Sequence, residues 1–145
     1  MNKLRRIEKI SRNLKYYKNM IGNTTMSANT YEVLRIIVKH PCITSKELSD
    51  RIDLDKGLVS RIVSSLIKEK YITTDVNKED KRQKLLLPTE KAIELKDSNE
   101  KLDDKFYTYL STLITEEEET KFYEIIEKIY KESKRLRHDK FKDLK

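Results

Sequence analysis

Cys42 is the single cysteine in this 145-residue chain. One thiol excludes an internal disulfide framework. With two histidines beside it there is no zinc constellation and no catalytic triad; His40 and Cys42 lie close, but two ligands do not make a metal site. Glycine and proline occur twice each. So few breakers exclude a loop-rich chain and predict mostly helix. Gly22 and Gly57 alone cannot form a glycine-rich phosphate loop, and no cofactor site is expected. No apolar run reaches the roughly 18 residues of a membrane span. The first twenty residues, "MNKLRRIEKISRNLKYYKNM", hold no apolar core of a secretory signal, so the expected location is the cytoplasm.

What is present is charge. Charged residues make up 39% of the chain, against about 25% in typical domains, and hydrophobic residues 37%. The apolar residues recur periodically, which argues for a fold and against disorder. The length suits one domain over 1–145, able to bury about two-thirds of its unfolded surface. The net charge of +7 points to polyanions: DNA, RNA or an anionic membrane surface.

Residues 3–21 read as an amphipathic helix, with Leu4, Ile7, Ile10 or Ser11, Leu14, Tyr17 and Ile21 on one face and seven basic residues opposite. The same stripe suits a membrane surface less well, because Ser11 and Asn13 dilute it. A second helix fills 26–41, with Ser27 as its N-cap and Pro41 as its end. A short helix over 44–52 opens on a capping box, Thr44 with Glu47, and a longer one over 53–70 is capped by Asp55. The two are joined by two or three residues, the pattern of a helix-turn-helix.

At about 100° per residue, Leu58, Val59, Ile62, Val63, Leu66 and Ile67 share one half of the longer helix. Lys56, Gly57, Ser60, Arg61, Ser64, Ser65 and Lys68 share the other. The outer half is small and basic and contains no acid between Lys56 and Lys68. Small residues allow close approach to a surface, and arginine and serine reach base edges and phosphates. Two β-prone runs follow, "YITT" and "KLLL", with the charged octet "NKEDKRQK" (77–84) between and overlapping them. A helix-turn-helix followed by a hairpin is a winged helix, and the octet is its wing tip. The fold class is therefore mainly α with a small β-hairpin wing, built on residues 27–88.

The flanking segments, 1–24 and 89–145, carry long apolar stripes that the small core cannot cover. Their simplest partner is a second copy about a two-fold axis. The expected dimerisation residues are Leu4, Ile7, Leu14, Tyr17, Phe122, Ile125, Ile126 and Ile129. A helix over 89–113 precedes a last one opened by a second capping box, Thr115 with Glu118, and a basic tail from about 134 is expected to fray.

The segment "TSKELSDRIDLDKGLVSRIVSSLIKEKYI" and the wing "KEDKRQKLLLPTEKA", with Asp80 and Arg82 in an Asp-x-Arg pattern before a Thr-Glu-Lys helix start, resemble the MarR family of bacterial winged-helix regulators. The resemblance covers roughly residues 25–95 in motif and nearly the whole chain in layout. It departs at Lys70, where the family usually has glycine and where a left-handed backbone is expected, at Ala92 in place of glycine, and at Pro88 in place of leucine. These departures suggest a divergent branch near the staphylococcal accessory-regulator-like proteins.

The resemblance implies a homodimeric transcriptional regulator on a pseudo-palindromic double-stranded DNA operator, released by a small-molecule effector or by oxidation, with repression the expected mode. Ser60, Arg61 and Ser64 are the candidates for base contacts, with Lys56 and Lys68 on phosphates and Gly57 at the close approach near the helix N-terminus. Thr44 and Ser45 are candidates for backbone phosphate. Arg82 would probe the minor groove, and Lys78, Lys81 and Lys84 would hold phosphates. Asp80 would orient the Arg82 guanidinium from the same side of a strand, or cap the turn. Tyr16, Tyr17 or Tyr31 would lie near an effector pocket. The rival reading is a winged-helix protein-interaction module without specific DNA binding; the basic outer face argues against it.

Overall fold

The computed structural model describes residues 2–22 and 26–145. The expected N-terminal dimerisation segment includes Met1, Asn23 and Thr24, which lie outside the described residues. The chain divides into two compact units, Met1–Asp103 and Asp104–Lys145.

The first unit begins with helix α1 (Arg5–Ile21), then α2 (Ala28–Lys39) and a two-residue strand β1 (Ile43–Thr44). Helices α3 (Ser45–Arg51) and α4 (Lys56–Lys68) follow, then strands β2 (Ile72–Val76) and β3 (Lys84–Pro88), then helix α5 (Glu90–Ser111). Short-range capping sets the helix starts. The Thr30 amide donates to Ser27 Oγ at 3.2 Å, and the Leu58 amide to Asp55 Oδ1 at 3.1 Å. At α3 the box is reciprocal: the Glu47 amide donates to Thr44 Oγ1 (3.2 Å), and the Thr44 amide donates to Glu47 Oε2 (2.8 Å).

These helices and strands close over one core. Val33, Leu34 and Ile37 of α2 meet Leu48 of α3, then Val59, Ile62, Val63 and Leu66 of α4, with Ile72, Leu86 and Ala92 completing it. Four of the six residues expected on the inner half of α4 are buried. Leu58 is half-buried, and Ile67 is 40% exposed. Both lie at the two edges of the apolar arc at helical spacing, where burial gives out first.

The sheet is three-stranded, in the order β1-β3-β2, all antiparallel, rather than the two-stranded hairpin expected. Leu86 sits in its centre, opposite Ile43 on one side and Thr74 on the other. β1 was not legible because a two-residue strand has no periodicity to read.

Helix α4 ends where the sequence departs from the usual glycine. Lys70 has φ 61°, the left-handed region. The Tyr71 amide donates to the Leu66 carbonyl (2.9 Å) and the Lys70 amide to the Ile67 carbonyl (3.0 Å), which together make a Schellman cap. A side chain in this conformation costs about 1–2 kcal/mol. Glycine forfeits about 0.4–1 kcal/mol of that through its freer unfolded chain. Lys70→Gly is therefore expected to stabilise the protein by roughly 0.5–1 kcal/mol in chemical denaturation, with no change in fold.

The second unit contains α6 (Glu116–His138) and a final 3-10 turn, Lys142–Leu144. Thr115 and Glu118 form the expected reciprocal box. Four glutamates fill the first turn of α6, and Arg135, Arg137 and His138 the last, so its charges oppose the helix dipole at both ends. The basic tail does not fray from 134 as expected. Helix α6 runs on to His138, and the Arg135 guanidinium pairs with Glu132 (2.6 Å), Asp139 (3.0 Å) and Asp143 (2.6 Å), holding the chain end against the helix. The last two helices leave much of their stripe uncovered: Phe122 and Ile125 are more than half exposed, while Ile126 and Ile129 are half-buried.

Candidate nucleic-acid interface

The outward face of α4 is the one that periodicity selected. Lys56, Gly57, Ser60, Arg61, Ser64, Ser65 and Lys68 are all exposed. Ser64 Oγ donates to the Ser60 carbonyl at 3.0 Å, which folds that hydroxyl down onto the helix and leaves the face low. Ser65 donates to Glu69 Oε1 (2.9 Å). Among the described residues, Lys56, Arg61 and Lys68 take part in none of the ion pairs, so their charges are available to an external anion. Gly57 has a local reason to be glycine: a Cβ there would come within 3.0 Å of the Asp55 carboxylate that caps the helix. That carboxylate also occupies the positive end of α4. Phosphate binding at the helix terminus itself is thereby disfavoured, which corrects one part of the role expected for this end.

Thr44 is withdrawn from the phosphate contacts. It is 8% exposed, its amide and hydroxyl both donate to Glu47 Oε2, and its backbone belongs to β1. These bonds to Thr44 hold the Glu47 carboxyl below the usual range. Ser45, the first residue of α3, remains exposed.

The wing tip, residues 77–83, is a turn and not a strand. Here the alternatives for Asp80 separate. Its Oδ1 accepts from the Arg82 amide (3.0 Å) and its Oδ2 from Gln83 Nε2 (3.2 Å), and the Gln83 amide donates to the Asp80 carbonyl at 2.9 Å. Asp80 thus shapes the backbone of the turn. Among the described residues it forms no ion pair with the Arg82 guanidinium, so the expectation that it orients that group directly is corrected. Asn77 Oδ1 makes a similar turn with the Glu79 amide (3.0 Å), and the Asn77 amide closes the loop on the Gln83 carbonyl (3.1 Å). The result is a rigid tip from which Lys78, Lys81, Arg82 and Lys84 project, all exposed. Gln83 was missed by the sequence reading, because its role depends on where the turn puts it.

A second feature lies between α1, α2 and α5: a cleft of about 210 Å³ whose walls include Leu14, Lys18, Met26, Tyr31 and Asn99. Of the three tyrosines expected near a pocket, Tyr31 lines it; Tyr16 and Tyr17 do not. Lys18 Nζ donates to Asp103 Oδ1 at 2.7 Å and lies 5.5 Å from the Tyr31 ring centroid. Burial, and then the Asp103 and Glu100 carboxylates, push the Tyr31 hydroxyl up to about 12, so it stays a neutral donor at any physiological pH. Asn99 is buried and donates to the Leu95 carbonyl at 3.0 Å. Among the described residues, no group of three or more His, Cys, Asp or Glu could hold a metal ion, and no helix is long and apolar enough to cross a membrane.

A low basic helix face beside a rigid basic wing defines a winged-helix protein of the DNA-reading type. Comparison with known proteins gives the class a name. Residues 26–84, from the residue before the α2 cap to the first residue of β3, match the MarR family. The chain carries a MarR-family domain and has the fold of that family's transcription regulators. Among solved structures, FabT of Streptococcus pneumoniae in complex with DNA is 18% identical, over 91% of this chain and 95% of that one, with a TM-score of 0.80. A MarR protein from Peptoclostridium difficile is 23% identical over 100% of this chain and 93% of that one, TM-score 0.73. The PcaV regulator of Streptomyces coelicolor, in complex with its natural ligand, is 18% identical over 88% of each chain, TM-score 0.63. No curated protein matches.

Proposed function

We propose that this chain is a sequence-specific, double-stranded-DNA-binding transcriptional regulator that works as a homodimer on a pseudo-palindromic operator. The observation that carries the reading is the outer face of α4. It presents Arg61 among serines, flanked by Lys56 and Lys68, with no ion pair to neutralise them. In this reading α4 lies in a major groove. Arg61 reads a base edge, a bidentate pair with guanine supplying about 1–3 kcal/mol of discrimination. Ser60 and Ser64 contact bases or nearby phosphates, and Ser45, Lys56 and Lys68 hold backbone phosphates. The wing reaches the adjacent minor groove through Arg82, while Lys78, Lys81 and Lys84 grip phosphates. Two protomers place their α4 helices one helical turn apart, about 10 base pairs between half-site centres. FabT, with the same fold, is seen in complex with DNA.

Gel shifts on a selected operator test the wing. Arg82→Ala is expected to weaken binding, to lower the preference for A·T-rich flanks, and to reduce the slope of log affinity against log salt by about 0.9. Wild-type behaviour of this variant removes the wing from the interface.

The cleft beside Tyr31 supports modulation by a small molecule. It is walled by apolar Leu14 and Met26, with Lys18, Tyr31 and Asn99 as its few polar groups, the usual make-up of a ligand site. Isothermal titration of the purified chain against a metabolite panel tests it, with Tyr31→Phe as the control expected to lower affinity.

A further inference from the structure

The C-terminal end of α4 is held by a set of contacts that the operator reading leaves unused. Thr89, at the start of α5, sends its hydroxyl proton across to the chain leaving α4, toward the Lys70 carbonyl (2.8 Å) or the Tyr71 carbonyl (2.9 Å). Its amide donates to the Tyr71 carbonyl at 2.9 Å. Two residues on, Lys91 Nζ donates to the Glu69 carbonyl (2.9 Å) and lies 4.0 Å from the Tyr71 ring centroid. Glu69 is the C-cap of α4. Its carbonyl is one of the helix-end acceptors that no amide of the helix satisfies, and the ammonium sits at the negative end of the α4 dipole.

We propose that Thr89 and Lys91 are positioning residues that clamp the end of α4 and thereby set which bases its outer face can read. This rests on the DNA-reading role assigned to α4 above. The Schellman cap alone leaves that end in a left-handed lysine backbone, a conformation with no intrinsic preference to hold it. The clamp ties it instead to α5, which is anchored in the core by Ala92. Leverage makes this matter for specificity. Thirteen residues of helix span about 20 Å, so a tilt of roughly 5° about the clamped end moves the first turn by roughly 2 Å. A displacement of that size breaks a bidentate base contact, whose heavy-atom distances tolerate only a few tenths of an ångström. It hardly disturbs phosphate contacts made by long, flexible lysines.

A lysine that simply bound phosphate would behave differently. Its removal would weaken binding to all sequences alike and flatten the salt slope. The two roles are separated by selecting duplexes from a library with a random core of about 24 base pairs, long enough for two half-sites. Full-length wild type, Lys91→Gln, Lys91→Arg and Thr89→Val are used. Salt slopes are then measured by fluorescence anisotropy on the duplex that wild type prefers.

The proposal expects wild type to enrich one motif. Lys91→Gln and Thr89→Val should keep a wild-type circular dichroism spectrum and salt slope, but their preference for the motif's strongest bases should fall by about fivefold or more, the low end of what one base contact discriminates. Lys91→Arg, which can still donate to the Glu69 carbonyl and stack on Tyr71, should restore it. An unchanged motif with a slope lowered by about 0.9 makes Lys91 a phosphate contact and overturns the proposal. An unchanged motif and slope overturn it too. A wild-type chain that enriches no motif overturns the DNA reading itself, a result distinct from either of these.

Discussion

Raising the salt concentration from 50 to 200 mM is expected to weaken operator binding by about 10³-fold. Each protomer offers Lys56, Lys68, Lys78, Lys81, Arg82 and Lys84 on one basic surface, all exposed. If only half of these meet phosphate, a dimer neutralises about six, and each released counterion contributes about 0.9 to the slope of log affinity against log salt. The chain's excess positive charge, +7, acts in the same direction through long-range attraction. Anisotropy titrations at four or five salt concentrations give the slope directly. A flat response is incompatible with a phosphate-gripping wing and helix, and would favour the protein-interaction reading.

The second large effect concerns the partner copy. Phe122 and Ile125 leave more than half of their surface uncovered on one face of α6, and α1 similarly leaves Leu4 and Ile7 exposed while Leu14 and Tyr17 are half-buried. In a monomer such stripes are a liability. The double variant Phe122→Asp, Ile125→Asp is expected to give folded monomers in sedimentation, because neither side chain belongs to the core of its own chain. Its operator affinity is expected to fall by about 10²- to 10⁴-fold, the range lost when two linked half-site contacts become independent. A double variant that sediments as a dimer and binds normally would show that these residues are not the contact between copies.

What could be read from the sequence was mostly what is local. The cap pairs Thr44–Glu47 and Thr115–Glu118 are three residues apart, and both form as the spacing implies. The outer face of α4 follows from helical geometry alone, and Lys70 takes the left-handed backbone that a missing glycine implied. The failures have equally physical causes. Thr44 suits a phosphate contact by residue type, yet the same hydroxyl is needed to start α3. Asp80 had two partners within reach, and the tight turn decided for the backbone. The ion pairs of Arg135 with Glu132 and Asp139 lie at the i−3 and i+4 spacings that stabilise helices, so the ordered tail carried a signal that its basic composition masked. The cleft carried none, since its Lys18–Asp103 bond joins residues 85 positions apart.

The central claim is that α4 reads sequence. Its most direct measurement is binding of the purified chain to fragments of the genome that encodes it, near physiological salt, followed by sequencing of the bound fraction. The account predicts a small set of enriched fragments sharing an inverted repeat with half-sites about 10 base pairs apart, an enrichment that Arg61→Ala abolishes. Uniform recovery of all fragments, or an enrichment that Arg61→Ala leaves intact, would contradict it.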